Sequence, residues 1–286
     1  MKFQRKIFFG IIIFLAGVIN FRCAKEAKIP SYIHIDKINL TTNASLEGSN
    51  SNKIVDAWVY IDDNPVGAYE MPCTFPVLYS GTHHIKVLAG VKENGISETR
   101  IIYPFYSTYE TDITLTQGQA VKINPSVGYM TGTNFQWLEA FEGSGHTLCN
   151  SAATPDTIMK ITAVPSEIFE GTGSGKVTIT ADSYFGKSCT QFDLPNNNVF
   201  LEINYKCNTE FIAAVVGYDV AGAQTYPANP IHIRPSSDWN KIYVNLKDDI
   251  NSEPSSLKFS VYFAMLYDSN VSSSNLYLDN IKLISF

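Results

Sequence analysis

The five histidines of the sequence are the first candidates for acid–base catalysis or metal binding near neutral pH. His83 and His84 are consecutive, and consecutive residues of a β-strand point to opposite faces, so the two rings cannot share one metal ion. His34, His146 and His232 stand alone, and no His-x-x-x-His or Gly-x-Ser-x-Gly motif occurs in the sequence. The histidines therefore predict neither a metal centre nor an acid–base pair.

A glycine-rich segment, residues 171–176, is the nearest match to a phosphate-binding loop. Such a loop precedes a helix, whereas this segment precedes the strand-like residues 177–179, so we interpret it as a flexible turn. The carboxylates of Asp248 and Asp249 adjoin turns, and we expect them to be solvated. A sequence does not show whether two carboxyl groups face each other across a cleft. We predict that the protein is not an enzyme, and keep a hydrolase as a third hypothesis.

The five cysteines lack the paired spacing of a zinc site. Cys149, Cys189 and Cys207 fall in the second half of the chain, Cys73 falls in the first half, and Cys23 lies near the start. In an oxidising compartment we expect one disulfide and two free thiols. Cys189 with Cys207 would close a hairpin-like segment, and Cys149 with Cys189 is the other pairing.

The N-terminal residues predict export. A basic stretch (residues 1–6) and an apolar run (residues 7–19) have the layout of a secretory signal, and the run is short for a membrane span. Residues 1–22 resemble a lipoprotein signal peptide, because Cys23 stands where such signals place the acylated cysteine. Acylation would fasten the protein to a lipid bilayer, with residues 23–31 as a tether. An ordinary signal peptide or an uncleaved anchor helix is the alternative.

The composition is that of a folded, non-basic protein. Hydrophobic residues make up 45% of the chain and charged residues 17%, which suffices for real cores and is unlike a disordered tail. The length suits two domains after the leader. The net charge of −6 and the lack of a basic run after the leader argue against a nucleic-acid partner.

Alternating apolar and polar residues, of which residues 257–263 are the clearest run, predict strands throughout the rest of the chain. Repeated short strands between turn-forming residues predict an all-β fold of the sandwich type. A turn-rich segment, residues 128–135, is the predicted linker between a first domain (residues 32–127) and a second domain (residues 136–286).

The first domain carries a pattern of strand, tight turn and strand in residues 58–67, where Asp and Asn favour the turn. Residues 71–78 and 80–87 follow, and Gly81 turns the chain into a further strand. This pattern resembles the PEGA-like family of small surface β-sandwiches. The resemblance implies a structural or contact module and says little about function.

The second domain resembles the galactose-binding-like jelly rolls found in many carbohydrate-binding modules. The resemblance is carried by residues 138–143, 238–246 and 276–283. It implies a jelly-roll β-sandwich, and it says little about the ligand because one fold hosts many functions.

The jelly-roll resemblance also implies a structural calcium ion between the first and last strands. Calcium binds oxygen ligands, and Glu142 and Asp279 occupy the corresponding positions, with Glu139 as a further candidate. The alternative is that Asp279 caps a bend in the strand and Glu142 is solvated. We expect no other cofactor.

A lipoprotein leader followed by a PEGA-like module and a jelly roll resembles the outer-membrane lipoproteins of the Bacteroidota. Our first hypothesis is a non-catalytic accessory or interaction subunit that docks on an outer-membrane β-barrel protein or complex, on either face of the membrane. Tyr103, Phe105 and Tyr106 could supply the contact, because aromatic residues concentrate at interface centres. A buried strand end is the other interpretation of these three residues.

The alternative hypothesis is a glycan-binding surface lipoprotein of a polysaccharide-uptake system. A sugar ring stacks its C–H face on an aromatic ring, with polar groups beside it. We expect Trp137 to pack at the seam between the domains and Trp239 to pack in the core. The strand tyrosines that could line a sugar-binding face are Tyr184, Tyr205, Tyr218 and Tyr262.

Overall fold

The computed structural model describes residues 28–150 and 157–286. Strands dominate these residues, and the helices among them are short: α1 (Ala44–Glu47), α2 (Lys247–Asn251) and a 3-10 turn (Pro165–Glu167). None of the described helices has the length and apolar character needed to cross a membrane. The predicted all-β fold class is confirmed. The leader and Cys23 lie outside the described residues.

The strands of the N-terminal module (residues 31–127) are β1 (Ser31–Ile35), β2 (Asn39–Leu40), β3 (Asp56–Ile61), β4 (Asn64–Glu70), β5 (Cys73–Val77), β6 (Gly81–Lys92), β7 (Arg100–Ile102), β8 (Tyr109–Leu115), β9 (Ala120–Ile123) and β10 (Ser126–Val127). In a five-stranded sheet, β4, β3, β6 and β7 follow one another and β8 also pairs with β6. A second sheet has the order β5-β1-β9, and β2 pairs with β10.

Alternation explains why these strands form a core. Val59 and Ile61 of β3 and Ile85 and Val87 of β6 are buried at every second position and belong to one hydrophobic cluster, as the period of two in a strand requires. The turn between β3 and β4 has positive φ at Asp62 (48°) and Asp63 (63°). Aspartate tolerates this conformation, which makes a tight two-residue turn between antiparallel strands.

The C-terminal sandwich (residues 134–285) has two sheets of six described strands each. The strands of the first, the back sheet, are β11 (Asn134–Glu139), β13 (Lys160–Thr162), β14 (Ser174–Ile179), β16 (Val199–Cys207), β20 (Ser236–Asn245) and β22 (Ser274–Ser285). The strands of the second, the front sheet, are β12 (Leu148–Asn150), β15 (Ser183–Ser188), β17 (Phe211–Tyr218), β18 (Gln224–Thr225), β19 (Ile231–Ile233) and β21 (Lys258–Leu266).

The core of the sandwich lies between the two sheets. On β21, Phe259, Val261 and Phe263 enter this core, and on β16, Leu201 and Ile203 meet them from the back sheet. The intervening residues of both strands point outward, so each sheet presents a second face. What covers those two outward faces decides which of them is available for binding.

The N-terminal module covers the outward face of the back sheet. Phe200, Tyr243 and Ile284 point away from the sandwich core and join the hydrophobic cluster of the N-terminal module. The ring of Tyr103 lies edge to face with Tyr243, with a centroid separation of 4.7 Å, and with Phe200, with a separation of 5.3 Å. The two modules therefore share this apolar cluster, the shared core, which is separate from the core between the two sheets of the sandwich.

The burial of Tyr103, Phe105 and Tyr106 corrects the prediction that they contact an outer-membrane partner. All three belong to the shared cluster, with exposed fractions of 1%, 0% and 6%. Large aromatic rings stabilise an interface within one chain for the same reason as an interface between chains, because each removes much apolar area from water. The sequence pattern does not separate the two cases.

A buried glutamate forms the polar centre of the same interface. Glu202 is 0% exposed, and its Oε1 accepts hydrogen bonds from the hydroxyls of Tyr103 (2.9 Å) and Tyr129 (2.8 Å). Its Oε2 lies 2.8 Å from Nζ of Lys241. Burial alone would raise the pKa of Glu202, but the charges of Lys241 and Lys282 outweigh it and hold the pKa below its ordinary value. The glutamate is therefore ionised.

Lys282 connects this centre to the N-terminal module. Its Nζ donates to the carbonyl oxygen of Ser49 (2.6 Å) and to the hydroxyl of Tyr129 (3.1 Å). Burial lowers the pKa of Lys282 to about 8, although the charge of Glu202 opposes that shift. Since the partners of Glu202 and Lys282 come from both sides of the interface, these charges are satisfied only when the modules are docked.

We predict that Glu202→Gln lowers the free energy of unfolding by about 3–5 kcal/mol, because it leaves two lysines buried without their carboxylate. Denaturant-induced unfolding would measure the change. Glu210→Gln is the matched control, since Glu210 is exposed and pairs with exposed His232, and should change stability little. Equal stability of the two variants would contradict the role given to Glu202.

Candidate functional site

The outward face of the front sheet carries a cluster separate from the shared core. Ala214, Val216, Tyr218 and Tyr262 form its buried part, and they alternate with the core residues of β17 and β21. This confirms that the strand pattern places side chains on two faces. The N-terminal module does not cover this face of the sandwich, so the face is accessible to other contacts.

Three rings on this face form what we call the front aromatic cluster: Phe185, Tyr226 and Tyr262. Phe185 stacks on Tyr262 with centroids 5.0 Å apart and planes 17° apart. Tyr226 meets Phe185 edge to face at 6.1 Å and Tyr262 at 5.9 Å. Tyr262 is only 5% exposed, whereas Tyr226 is 48% exposed. Tyr226 is therefore the ring that this cluster presents to solvent.

Polar groups stand beside the rings. The hydroxyl of Tyr226 donates to Oε1 of Gln224 (2.7 Å). Nζ of Lys187 donates to the hydroxyl of Tyr218 (2.8 Å) and lies 5.2 Å from the centre of that ring. These contacts orient the tyrosine rings, and they bring hydrogen-bonding groups to the edge of the aromatic surface.

A groove of about 470 Å³ continues the same face. Ile212, Ala264 and Leu266 line it, and Leu266 is 75% exposed. Ala264 lies two residues from Tyr262 on β21, which places it about 7 Å along the same face. Nδ1 of His232 and Oε1 of Glu210, 2.7 Å apart, add polar groups to this front groove. A long ligand could therefore contact both groove and rings.

Asp249 is buried, which corrects the prediction that it is solvated. It is 6% exposed, and it belongs to helix α2, which packs against β17. Burial, assisted by the charge of Asp248, raises the pKa of Asp249 to about 7. Its charge in turn adds to the burial that raises the pKa of Tyr262. Asp249 is thus a titrating group next to the front aromatic cluster.

The predicted tyrosine face is divided between two environments. Tyr218 and Tyr262 point outward on the front sheet, whereas Tyr184 and Tyr205 lie inside the sandwich core, so their proposed role in a sugar-binding face is wrong. Trp137 is also a core residue of the sandwich, where its ring stacks on Phe192 at 6.3 Å, and it does not pack between the domains.

The front aromatic cluster contains two rings that the sequence did not single out. Phe185 follows core residue Tyr184 on β15, and strict alternation is the signal that could have placed it outward. Tyr226 lies just after β18, in a segment with no periodic pattern. Its position follows only from tertiary structure.

The carboxylates predicted to bind calcium are held by hydrogen bonds. Glu142 accepts from the backbone N–H of Thr172 (2.8 Å) and from its hydroxyl (2.7 Å), where residues 171–173 form the predicted turn. Glu139 accepts from the backbone N–H groups of Phe141 (2.8 Å) and Thr147 (2.6 Å). Within the described ranges, no group of three or more His, Cys, Asp or Glu side chains is placed to hold a metal ion.

Asp279 is the buried member of the predicted calcium pair. Its Oδ2 accepts from the hydroxyl of Ser174 (2.6 Å), and its Oδ1 accepts from the backbone N–H of Asn280 (2.7 Å). Burial raises the pKa of Asp279 to about 7, with smaller contributions from Glu170 and Glu142. The oxygen atoms are of the kind that calcium binds, but hydrogen bonds occupy them, and the calcium ion stays a prediction.

The structure joins Cys149 to Cys189, with Cα atoms 5.0 Å apart. This is one of the two pairings that the sequence left open, and it links β12 to the end of β15, its neighbour in the front sheet. Cys207 instead points into the sandwich core, where burial raises the pKa of its thiol to about 11. Cys73 is also a free thiol.

No protein-family model matches the chain, and no curated protein matches its sequence. Similar solved structures include carbohydrate-binding modules. One, from a study of promiscuous specificity in the β-sandwich superfamily of these modules, has 14% identity and a TM-score of 0.39 over 81% of this chain and 86% of its own. The xylan-binding domain of module family 22 has 15% identity and a TM-score of 0.38 over 53% of this chain and 94% of its own.

A third similar structure is the family 11 carbohydrate-binding module of a cellulosomal cellulase from Clostridium thermocellum. It has 16% identity and a TM-score of 0.40 over 55% of this chain and 96% of its own. What each of these proteins binds is a property of that protein alone.

We predict that Asp249 makes the protein less stable as the pH rises from about 4 to about 7. In this range the folded protein keeps the proton that the unfolded chain, with an ordinary pKa of 3.8, has lost. Asp249→Asn should therefore match the wild type near pH 4 and exceed its free energy of unfolding at pH 8, by up to about 4 kcal/mol. Thermal unfolding across this range would measure the difference.

Asp248→Asn is the matched control, because it removes the neighbouring exposed charge and leaves the buried carboxyl in place. It should keep most of the pH dependence. The raised pKa of Asp279 also makes the free energy of unfolding fall as the pH rises. Each variant is therefore compared with the wild type, in which Asp279 is the same. A variant at Asp249 with an unchanged pH profile would contradict the prediction.

Proposed function

We propose that this protein is a non-catalytic, lipid-anchored protein of the cell envelope that binds a glycan on the outward face of the front sheet. The observation that carries this proposal is that the N-terminal module covers the outward face of the back sheet but not that of the front sheet. The back sheet is closed by the N-terminal module through Phe200, Tyr243 and Ile284, whereas the front sheet keeps the exposed Tyr226 beside an apolar groove.

The chemistry of this face suits a sugar chain. A pyranose ring offers apolar C–H groups to an aromatic ring and hydroxyls to nearby polar groups. Tyr226 supplies an exposed ring, and Gln224, His232 and Glu210 supply polar groups beside it and in the groove. The groove volume of about 470 Å³ falls within the usual range for ligand sites, roughly 300–1,000 Å³.

The hypothesis of an accessory subunit of an outer-membrane complex ranks second. Its proposed contact residues, Tyr103, Phe105 and Tyr106, are buried between the modules, so a β-barrel partner would have to contact other residues. We retain the PEGA-like interpretation of the N-terminal module as part of the proposal. In this proposal the module positions the sandwich above the membrane and closes the back sheet.

The lipid anchor in the proposal rests on the sequence, because Cys23 lies outside the described residues. A basic stretch, an apolar run and a following cysteine support acylation of that thiol. The outer membrane is the proposed location, since the overall pattern resembles lipoproteins of that membrane. Anchoring would hold the glycan-binding face close to the cell envelope.

We predict that Tyr226→Ala weakens glycan binding about tenfold, or roughly 1.4 kcal/mol, because it removes the exposed stacking ring. Affinity electrophoresis in gels that contain neutral polysaccharides would identify the ligand and measure the change. Tyr226→Phe keeps the ring and should keep most of the affinity. Tyr60→Ala on the N-terminal module, which is half-buried outside the front face, should bind like the wild type.

Two results would contradict the glycan proposal. The first is migration unchanged by every polysaccharide tested. The second is equal retardation of the wild type and Tyr226→Ala. Co-purification of a stoichiometric outer-membrane protein in mild detergent, together with either result, would favour the accessory-subunit hypothesis instead.

We predict that Cys23→Ser abolishes metabolic labelling with palmitate and moves the protein from the membrane fraction to the soluble fraction, because the acylated thiol is lost. Cys73→Ser removes a different free thiol and should leave labelling and fractionation unchanged. An unlabelled wild type, with Cys23→Ser still retained in the membrane, would argue for an uncleaved anchor helix.

A further inference from the structure

A cleft opens where the two modules meet, at the edge of their interface. It has a volume of about 430 Å³ and lies between the turn at residues 94–98 of the N-terminal module and residues 232–234 of the C-terminal sandwich. A smaller inner cavity of about 60 Å³ adjoins it, since Gly95, Tyr205 and Ile242 line both spaces. We call the two spaces together the junction cleft.

Four cationic side chains line the junction cleft in a protein whose net charge is −6. Lys53, Lys92 and Lys241 line the inner cavity, and Arg234 lines the outer space. Glu98 is the acidic residue that lines the outer space, and no acidic residue lines the inner cavity. Positive charge is therefore concentrated at this point.

The cations of the cleft have few carboxylate partners. Nζ of Lys53 donates to the neutral amide oxygen of Asn240, and burial together with the charge of Lys92 lowers the pKa of Lys53. Within the described residues, no hydrogen bond or ion pair involves the side chains of Lys92 and Arg234. Lys241 does have a partner in Glu202. Three of the four cations therefore lack a neutralising carboxylate in this arrangement.

The inner cavity has room and hydrogen-bond donors for a small anion. A volume of 60 Å³ is about four times the roughly 15 Å³ that a single water needs. The hydroxyl of Tyr205 accepts a hydrogen bond from Asn240 (3.0 Å), so its own proton is free to be donated. Lysine binds phosphate as a point charge, and arginine adds a fork of donors that matches oxyanions.

We propose that the junction cleft binds a sulfate or phosphate group, with Lys53 and Lys92 in the inner cavity, Arg234 in the outer space and Tyr205 as a hydrogen-bond donor. The bound anion neutralises the three cations that have no carboxylate partner: Lys53, Lys92 and Arg234. His232 lines both this cleft and the front groove. A charged substituent on a bound saccharide is therefore the source that fits the geometry, and this assignment of the source rests on the proposed function.

Calorimetric titration of the full chain in mild detergent with sodium sulfate and with sodium phosphate tests the site, with sodium chloride at equal ionic strength as reference. We expect saturable binding of sulfate or phosphate and none of chloride. The double variant Lys92→Gln/Arg234→Gln should weaken that binding at least tenfold. Lys37→Gln, which removes an exposed charge outside the cleft, should bind like the wild type.

A second variant tests the site without removing the charged side chains, in case the double variant does not fold. Ser97 is exposed in the turn that lines the outer space, and Ser97→Trp should block entry without removing a charge. Far-ultraviolet circular dichroism and the thermal midpoint report whether each variant is folded. Sulfate and phosphate binding no stronger than that of chloride would overturn the proposal, as would unchanged affinity in both folded variants.

The source of the anionic group is tested separately with dextran sulfate, uncharged dextran and vesicles that contain phosphatidylglycerol. Binding of dextran sulfate that the double variant loses would support a saccharide. Vesicle binding that the double variant loses, without any binding of dextran sulfate, would overturn that assignment. These outcomes do not depend on Tyr226, so failure of the junction cleft and failure of the neutral-glycan site are distinguishable.

Discussion

The ionised carboxylate of Glu202, held away from water, is the constraint on which the rest of the structure depends. A buried charge is tolerated only when charges and hydrogen-bond donors surround it. Here Lys241 and Lys282 supply the charges from the back sheet. Tyr103 supplies a donor from the N-terminal module, and Tyr129 supplies another from the segment between the modules. The arrangement is complete only when the two modules are docked in one orientation.

This docking assigns different roles to the two sheets of the sandwich. The outward face of the back sheet becomes the floor of an interface, where Phe200 and Tyr243 complete the core of the N-terminal module. The N-terminal module does not cover the outward face of the front sheet, where Tyr226 is exposed. The same docking creates the junction cleft at the edge of the interface. Both proposed binding surfaces therefore follow from one packing arrangement.

The sequence predicted the fold class because strand alternation is a local property. Residues 257–263 alternate as expected, and Phe259, Val261 and Phe263 are core residues. Alternation does not reveal which of two faces a second module covers. For that reason Tyr184 and Tyr205 were placed on the wrong face, and Tyr103, Phe105 and Tyr106 were given an external partner.

The sequence did not reveal the buried charged residues of the interface between the modules, for a related reason. Glu202, Lys241 and Lys282 occupy the polar positions of alternating strands, which ordinarily face solvent. Only the docked N-terminal module turns these positions into buried ones. Asp249 was expected to be solvated because it adjoins a turn, yet helix α2, which contains it, packs against β17 and the side chain is buried. Long-range packing decided each of these environments, and no local pattern encodes it.

Backbone ¹⁵N relaxation of the full chain would test most directly whether the two modules form one rigid body. The account predicts a single rotational correlation time, the same for strands of the N-terminal module and for strands of the C-terminal sandwich. A shorter correlation time for one of the modules would show that they reorient separately. That result would contradict a shared core centred on Glu202.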